Sequence, residues 1–117
     1  MEKKEFLKRT MNFGLRVIRL VNSLPKQQVA QVLGNQLLRA GTSVGANYRA
    51  AVRGKSRADF IAKMGIVEEE CDETLYWMEM LSESHLVKPD LLHDLVNEGN
   101  QILSIVVASI RTARRNK

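Results

Sequence analysis

The residues best suited to catalysis or metal binding in this 117-residue sequence are two histidines and one cysteine. A di-iron centre in a helical bundle takes two Glu-x-x-His pairs and two further carboxylates. His93 follows Asp90 by three positions, but His85 follows Ser82, so only half of the motif is present. Cys71 lies among apolar residues at helical spacing, where cysteine acts as a small buried hydrophobe. We therefore expect no catalytic, cofactor or metal site, and a protein that is not an enzyme.

Basic residues indicate a different chemistry, the binding of phosphates. The net charge is +5; residues 39–63 carry six basic residues and one acidic residue, whereas residues 68–83 carry seven acidic residues and no basic one. Lys and Arg side chains that neutralise phosphates bind nucleic acid without reading its sequence. The predicted nucleic-acid-binding residues are Arg49, Arg53, Lys55, Arg57, Arg114 and Arg115. The same segregation of charge also fits two solvated faces, or contacts between subunits.

The elements that must position these residues are four amphipathic helices, predicted at about residues 3–23, 27–53, 57–83 and 89–111. Pro25 ends the first helix, because proline lacks an N–H donor and disfavours a helical residue before it. Gly54 ends the second, and Ser56 with Asp59 three positions later predicts a capped start for the third. Pro89 suits the first turn of the fourth. Short links between long helices predict an all-α, antiparallel up-down four-helix bundle, a single domain over residues 1–117.

The second helix places polar residues in a heptad-like stripe where apolar residues are expected. The predicted polar seam, with acidic partners from the third helix, consists of Gln36, Arg39, Ser43, Asn47, Glu69 and Glu73. A buried arginine requires an ionic partner, so we expect Arg39 to point inward and pair with Glu69 or Glu73. We also expect Asn47 to form a hydrogen bond across the bundle. The functional alternative is a polar ligand pocket lined by the same residues.

The middle of the second helix is rich in small residues. Gly41 and Gly45 each cost a helix about 1 kcal/mol relative to alanine, so we expect a neighbouring backbone to approach closely there. The stretch RAGTSVGANYRAAVRGKSRADF also resembles the helix-turn-helix of tetracycline-repressor-type regulators. Leu37 and Leu38 replace the usual Ile-Ala of those regulators, Ala51 replaces an aromatic residue, and 117 residues leave no room for their ligand-binding domain.

The run from residue 35 to residue 81 is similar to the bacterial four-helix bundle proteins first noticed in intervening sequences of large-subunit ribosomal RNA genes. The matching positions are Gln36, Arg39, Ala40, Ser43, Asn47, Gly54, Arg57, Phe60, Glu69 and Glu73. This chain reads Arg49-Ala50-Ala51 where many relatives have an acidic residue and glycine. The resemblance implies a homo-oligomer, commonly a pentamer. It also implies kinship with the accessory variability protein of diversity-generating retroelements, which works beside a reverse transcriptase and binds nucleic acid.

The resemblance and the charge pattern predict a non-enzymatic homo-oligomeric bundle that binds RNA or DNA nonspecifically through a basic surface. The alternatives are an oligomeric structural or protein-adaptor module without a nucleic-acid role, and a helix-turn-helix DNA-binding regulator. The segment MEKKEFLKRT lacks the apolar run of a signal peptide, and no apolar stretch approaches the ~20 residues that span a membrane. We therefore expect a cytoplasmic protein.

Overall fold

Four α-helices account for most of residues 2–116, the part of the chain that the structure, a computed structural model, describes. The helices are α1 (Lys3–Asn22), α2 (Gln28–Val52), α3 (Arg57–Glu83) and α4 (Pro89–Arg115). No β-strand occurs among the described residues. The predicted bounds are confirmed to within one residue, except that α4 continues past residue 111. The arginines in its last turn favour this extension, because positive charge stabilises the C-terminal end of a helix.

Residues close to the helix ends determine where the helices begin. The Ser56 hydroxyl accepts a hydrogen bond from the Asp59 N–H at 3.1 Å, which confirms the predicted cap of α3. The Asp59 carboxylate in turn accepts from the Lys55 N–H at 3.0 Å, one residue further back than in the usual reciprocal cap. Pro89 occupies the first turn of α4, where its missing N–H has no helical partner to lose.

Each helix packs against the next one in the chain, and α4 also packs against α1. The contact between α1 and α4 is the least extensive of the four. The Phe6 ring, near the start of α1, meets the Tyr48 ring, near the end of α2, edge to face with centroids 4.7 Å apart. The Leu24 side chain, just after α1, lies against Gly34 near the start of α2. These contacts show that α1 and α2 are antiparallel. The body measures 49 × 21 × 20 Å. The predicted up-down four-helix bundle is confirmed.

One apolar stripe from each helix forms the core along the length of the bundle. Its large, fully buried side chains include Phe13, Val17, Leu37, Val44, Met64, Val67, Met78, Leu81, Ile102 and Val106. Burying a side chain of this kind stabilises the fold by about 1.5–3 kcal/mol relative to its exposure to water. The core therefore holds the helices together and leaves their outer faces and ends available for binding.

Helix α2 is continuous through its glycine-rich middle, and α1 lies directly against that part of it. A Cβ atom at Gly41 would lie 2.8 Å from both γ-carbons of Val17, and one at Gly45 would lie 3.3 Å from the Thr10 carbonyl group. The predicted close approach is confirmed, and α1 is the neighbour. The helix-turn-helix alternative is wrong, because α2 has no break and Tyr48, which belongs to the stretch that resembles the helix-turn-helix, is only 5% exposed.

Candidate nucleic-acid interface

Basic side chains from three parts of the chain meet at one end of the bundle, which we call the basic end. It consists of Arg49 from α2, Arg53 and Lys55 from the α2–α3 link, Arg57 from α3, and Arg114 and Arg115 from α4. All six are exposed, and within residues 2–116 none of them forms an ion pair. The first four lie close together because they are neighbours in the sequence. The antiparallel topology adds the last two, because α4 ends at the same end of the bundle as α2.

An open cavity of about 700 Å³ lies at the basic end, between the starts of α1 and α3 and the ends of α2 and α4. The rings of Phe6, Tyr48 and Phe60 line it, together with Lys3 and Arg57. Burial raises the pKa of the Tyr48 hydroxyl, so this group stays neutral at physiological pH. Phe6 and Tyr48 are only 2% and 5% exposed, so the half-buried Phe60 is the one of these three rings with surface on which a base could stack beside the cationic side chains.

Asp59 is the acidic residue nearest to the α2–α3 link, and it leaves the positive charge of the basic end largely intact. Its carboxylate accepts hydrogen bonds from Lys63 Nζ at 2.9 Å and from the Lys55 N–H. These two hydrogen bonds, that from Lys63 first, lower the pKa of Asp59. Asp59 is thus paired with Lys63, outside the six residues of the basic end. The helix dipoles add little net charge at this end, because the starts of α1 and α3 lie beside the C-terminal ends of α2 and α4.

Arg39 makes an ion pair between α2 and α3, but it does so at the surface. It donates to Glu73, one of its two predicted partners, and its Nη1 lies 3.3 Å from Glu70 Oε2. The other predicted partner, Glu69, is exposed and lies outside this pair. The expected inward orientation is wrong, because 49% of the Arg39 side chain is exposed. A solvated charge at this position avoids the cost of desolvation that burial would impose.

Helix α2 buries the face next to the predicted seam. Leu37, Val44 and Tyr48, each one position after a predicted seam residue, are among the residues of α2 that enter the core. Gln36, Ser43 and Asn47 are half-buried at the border of the core. Asn47 Nδ2 donates to the Ser43 carbonyl oxygen of its own helix at 2.8 Å, so the expected hydrogen bond across the bundle is wrong. A short polar side chain readily reaches a carbonyl one turn back, and it requires no partner on another helix.

The cysteine and histidines take positions that do not combine into a reactive group. Cys71 is 1% exposed, and burial raises the pKa of its thiol to about 12, so the thiolate needed for reactivity does not form. His93 Nε2 lies 3.3 Å from Asn97 Nδ2, and His85 lies in the link before α4. Within residues 2–116, no group of three or more His, Cys, Asp or Glu side chains is arranged to hold a metal ion.

A second apolar stripe on α1 was not predicted from the sequence. Met11, Leu15 and Ile18, which we call the α1 outer stripe, are 57%, 43% and 36% exposed. They line a groove of about 290 Å³ between α1 and α2. Their spacing of 4 and 3 is as helical as that of the core residues Phe13 and Val17. This second helical period was the available signal, and it predicts that α1 presents apolar surface on two sides.

The fold and the basic end define a class of protein, the small up-down four-helix bundles. The family model of the 23S rRNA-intervening sequence protein matches residues 2–108, and the chain belongs to this family. The family predicted from the sequence is therefore confirmed. A protein of unknown function from the S23 ribosomal protein family of Bacteroides thetaiotaomicron VPI-5482 has a similar crystal structure. It is 32% identical with a TM-score of 0.88, over 95% of this chain and 99% of the other.

No protein with a curated description matches this chain. Among the described residues, none of the helices is both long enough and apolar enough to span a membrane.

Proposed function

We propose that this protein is a non-enzymatic, homo-oligomeric four-helix bundle of the cytoplasm that binds RNA or DNA nonspecifically through its basic end. The observation that carries this proposal is the convergence of six exposed basic side chains from α2, the α2–α3 link, α3 and α4, none of which forms an ion pair within residues 2–116. Because these cations have no ionic partner among the described residues, no such ion pair has to be broken when they bind a phosphate. The free energy gained when counterions are released from the nucleic acid is therefore retained.

The shape of the basic end supports phosphate contacts in preference to the reading of base edges. Sequence readout in DNA requires an element, such as a recognition helix, that enters the major groove. Here the basic residues lie at helix ends and in a link, and α2 remains packed in the bundle through Val52. Phosphate contacts position a protein on nucleic acid without selecting a sequence. A nonspecific binder is the function that this arrangement supports.

Charge reversal at matched positions tests the proposal. We would titrate labelled RNA and DNA with the Arg53→Glu/Arg57→Glu variant, and with a Lys26→Glu/Lys88→Glu control at the opposite end of the bundle. All four residues are exposed, and both variants change the net charge equally. We expect the basic-end variant to lose at least about tenfold in affinity, and the slope of log affinity against log salt to fall by about 1 per lost phosphate contact. Equal binding by both variants would eliminate the basic end as the site.

The second candidate is an oligomeric structural or protein-adaptor module with no nucleic-acid role. The α1 outer stripe favours it, because exposed apolar side chains in a row mark surfaces that contact other proteins. A pentamer, the assembly that the family resemblance implies, and a reverse transcriptase as protein partner belong to this proposal. An oligomer that binds neither RNA nor DNA at about 50 mM salt would establish this candidate over the first.

A further inference from the structure

The cavity at the basic end has the size of a small-ligand site. Its volume of about 700 Å³ lies within the range of about 300–1,000 Å³ that such sites occupy. Phe6 and Tyr48 pack edge to face against each other and are almost fully buried, so they close its floor. Phe60 lies in the wall and is only half-buried. The accessible aromatic surface of the cavity is therefore that of Phe60.

Positive charge lies beside the Phe60 ring. Arg57 precedes Phe60 by three positions on α3, and side chains at this spacing are neighbours on a helix. Lys3, at the start of α1, lines the same cavity. Both cations are exposed, and neither forms an ion pair within residues 2–116. The cavity thus combines an aromatic ring with nearby cations, which suits a ligand whose flat apolar part is joined to an anion.

The α4 side of the cavity adds uncharged hydrogen-bonding groups. Ser109 and Thr112, which carry hydroxyls, and Asn116, which carries an amide, all line it. Hydroxyls and amides both donate and accept hydrogen bonds, so they fit base edges and sugars of more than one kind. None of the described residues that line the cavity is acidic, so no carboxylate among them repels an anionic ligand.

We propose that the cavity is a nucleotide subsite for single-stranded RNA or DNA, in which an unpaired base stacks on Phe60 and its phosphate meets Arg57. This inference rests on the nucleic-acid binding proposed above, and it specifies the form of strand that is bound. The remaining cations of the basic end hold the phosphates on either side by charge alone. Every base has a flat face, so the subsite selects unpaired strands without selecting a sequence.

Access to the Phe60 ring determines which form of strand gains from it. The bases of a duplex are paired and stacked on one another, and bringing one out of the stack costs free energy. Phe60 lies in the wall of a cavity between helices, so a base reaches it only by entering that cavity. A duplex can contact the exposed cations from outside, but it leaves Phe60 uncovered. Single strands therefore gain a stacking contact that duplexes lack.

Removing the ring without changing the charge tests the inference. We would titrate a labelled oligouridylate, an oligothymidylate and a DNA duplex of equal length with the wild type and with Phe60→Leu. Leucine keeps an apolar side chain against the core but has no flat face. Tyr76→Leu is the matched control, because it also removes an aromatic ring from α3, one that is 51% exposed and lies outside the cavity. Phe60→Tyr restores the ring, and circular dichroism shows whether each variant folds.

The complementary change is made on the ligand. An oligodeoxynucleotide without bases keeps every phosphate and loses every base face, so its binding by the wild type does not depend on the folding of a variant. We expect the wild type to bind it about tenfold more weakly than the oligothymidylate, since stacking on an aromatic side chain contributes roughly a factor of ten per base. Phe60→Leu should bind the strand without bases as tightly as the wild type does.

Phe60→Leu should also bind both intact single strands about tenfold more weakly than the wild type, with unchanged affinity for the duplex. The slope of log affinity against log salt should not change, because stacking releases no counterion from a phosphate. Phe60→Tyr and Tyr76→Leu should bind every probe as the wild type does. A loss confined to the oligouridylate or to the oligothymidylate would support the subsite and identify RNA or DNA as its ligand.

Several outcomes would overturn the subsite. Phe60→Leu might bind single strands as tightly as the wild type, lose affinity for the duplex to the same extent, or be matched in weakness by Phe60→Tyr; equal binding of the strands with and without bases by the wild type would have the same meaning. In each case salt-dependent binding by the wild type would leave the phosphate contacts of the basic end standing. A wild type that binds none of the probes at about 50 mM salt would overturn both proposals.

Discussion

Arg9 of α1 and Glu98 of α4 form a two-point ion pair, with Nε 2.7 Å from Oε2 and Nη2 2.8 Å from Oε1. Arg9 Nη2 also donates to Gln101 Oε1 at 2.7 Å. Both charged side chains are largely shielded, with 23% and 19% of their surfaces exposed. The pair joins α1 to α4, which make the least extensive helix–helix contact in the bundle. It therefore links the first helix to the last where side-chain packing contributes least to stability.

Removing this pair should lower stability in a pH-dependent way. The hydrogen bond from Arg9 lowers the pKa of Glu98, with burial acting in the opposite direction. A carboxylate whose pKa is lowered on folding stabilises the protein above its ordinary pKa, and that contribution disappears as the pH falls through the lowered value. We expect Glu98→Gln to lower the free energy of unfolding by about 1–2 kcal/mol at neutral pH. Urea denaturation should show a smaller difference from wild type near pH 3.

Glu79→Gln is the matched control for this experiment, because Glu79 is exposed and forms no ion pair within the described chain. Its free energy of unfolding should follow the wild type at both pH values. A Glu98→Gln variant whose deficit is as large near pH 3 as at neutral pH would contradict the assignment of that deficit to the ionised carboxylate.

Two helical glycines should respond in opposite directions to alanine. At Gly41 the new Cβ atom would lie 2.8 Å from both γ-carbons of Val17, whose branched side chain is stiff, so α1 would have to move away. At Gly65 no atom lies within 4 Å of the new Cβ atom. We expect Gly41→Ala to lower the free energy of unfolding by on the order of 1 kcal/mol, and Gly65→Ala to raise it by about 0.5–1 kcal/mol. Urea denaturation of both variants at neutral pH checks the signs; a Gly41→Ala variant as stable as the wild type or more stable would refute the role given to α1.

The link between α3 and α4 contains a residue in a conformation that suits glycine better. His85 has φ of 61°, in the left-handed region, and the N–H groups of Leu86 and Val87 both donate to the Leu81 carbonyl oxygen. This arrangement closes the end of α3 in the way that a C-terminal glycine usually does. We expect His85→Gly to raise the melting temperature, through a gain of about 0.5–1 kcal/mol. His85→Ala should give no such gain, since alanine keeps the Cβ atom; an equal gain would contradict the explanation.

The sequence predicted the helices well because their boundaries depend on single residues. Pro25 and Pro89 act through the geometry of their own rings, and Ser56 acts through a hydrogen bond to Asp59 three residues away. Interactions of this kind involve residues that are close in sequence, so they can be predicted from the sequence alone. The first four positions of the basic end were predicted for the same reason, because they lie within nine residues of one another.

The orientation of the helices was harder to predict, because helical spacing identifies a stripe without saying which way it faces. On α2 the polar stripe through Ser43 and the apolar stripe through Val44 have the same period, and the larger apolar side chains entered the core. On α1 the stripes through Phe13 and Leu15 are both apolar, and only the fit against α2 and the other helices separates the buried one from the exposed one. These choices depend on contacts between helices, which no local pattern encodes.

The surface position of Arg39 leads to a prediction that distinguishes it from a buried charge. About half of its side chain is exposed, and so is 40% of the side chain of its partner Glu73. Exposed ion pairs contribute about 0–1 kcal/mol, whereas leaving a buried charge without its partner costs about 3–5 kcal/mol. We expect Arg39→Met to change the free energy of unfolding by less than about 1 kcal/mol, and a double-mutant cycle with Glu73→Gln to give a coupling of similar size that shrinks at high salt. A loss of about 3 kcal/mol or more in urea denaturation would mean that Arg39 lies inside the core after all.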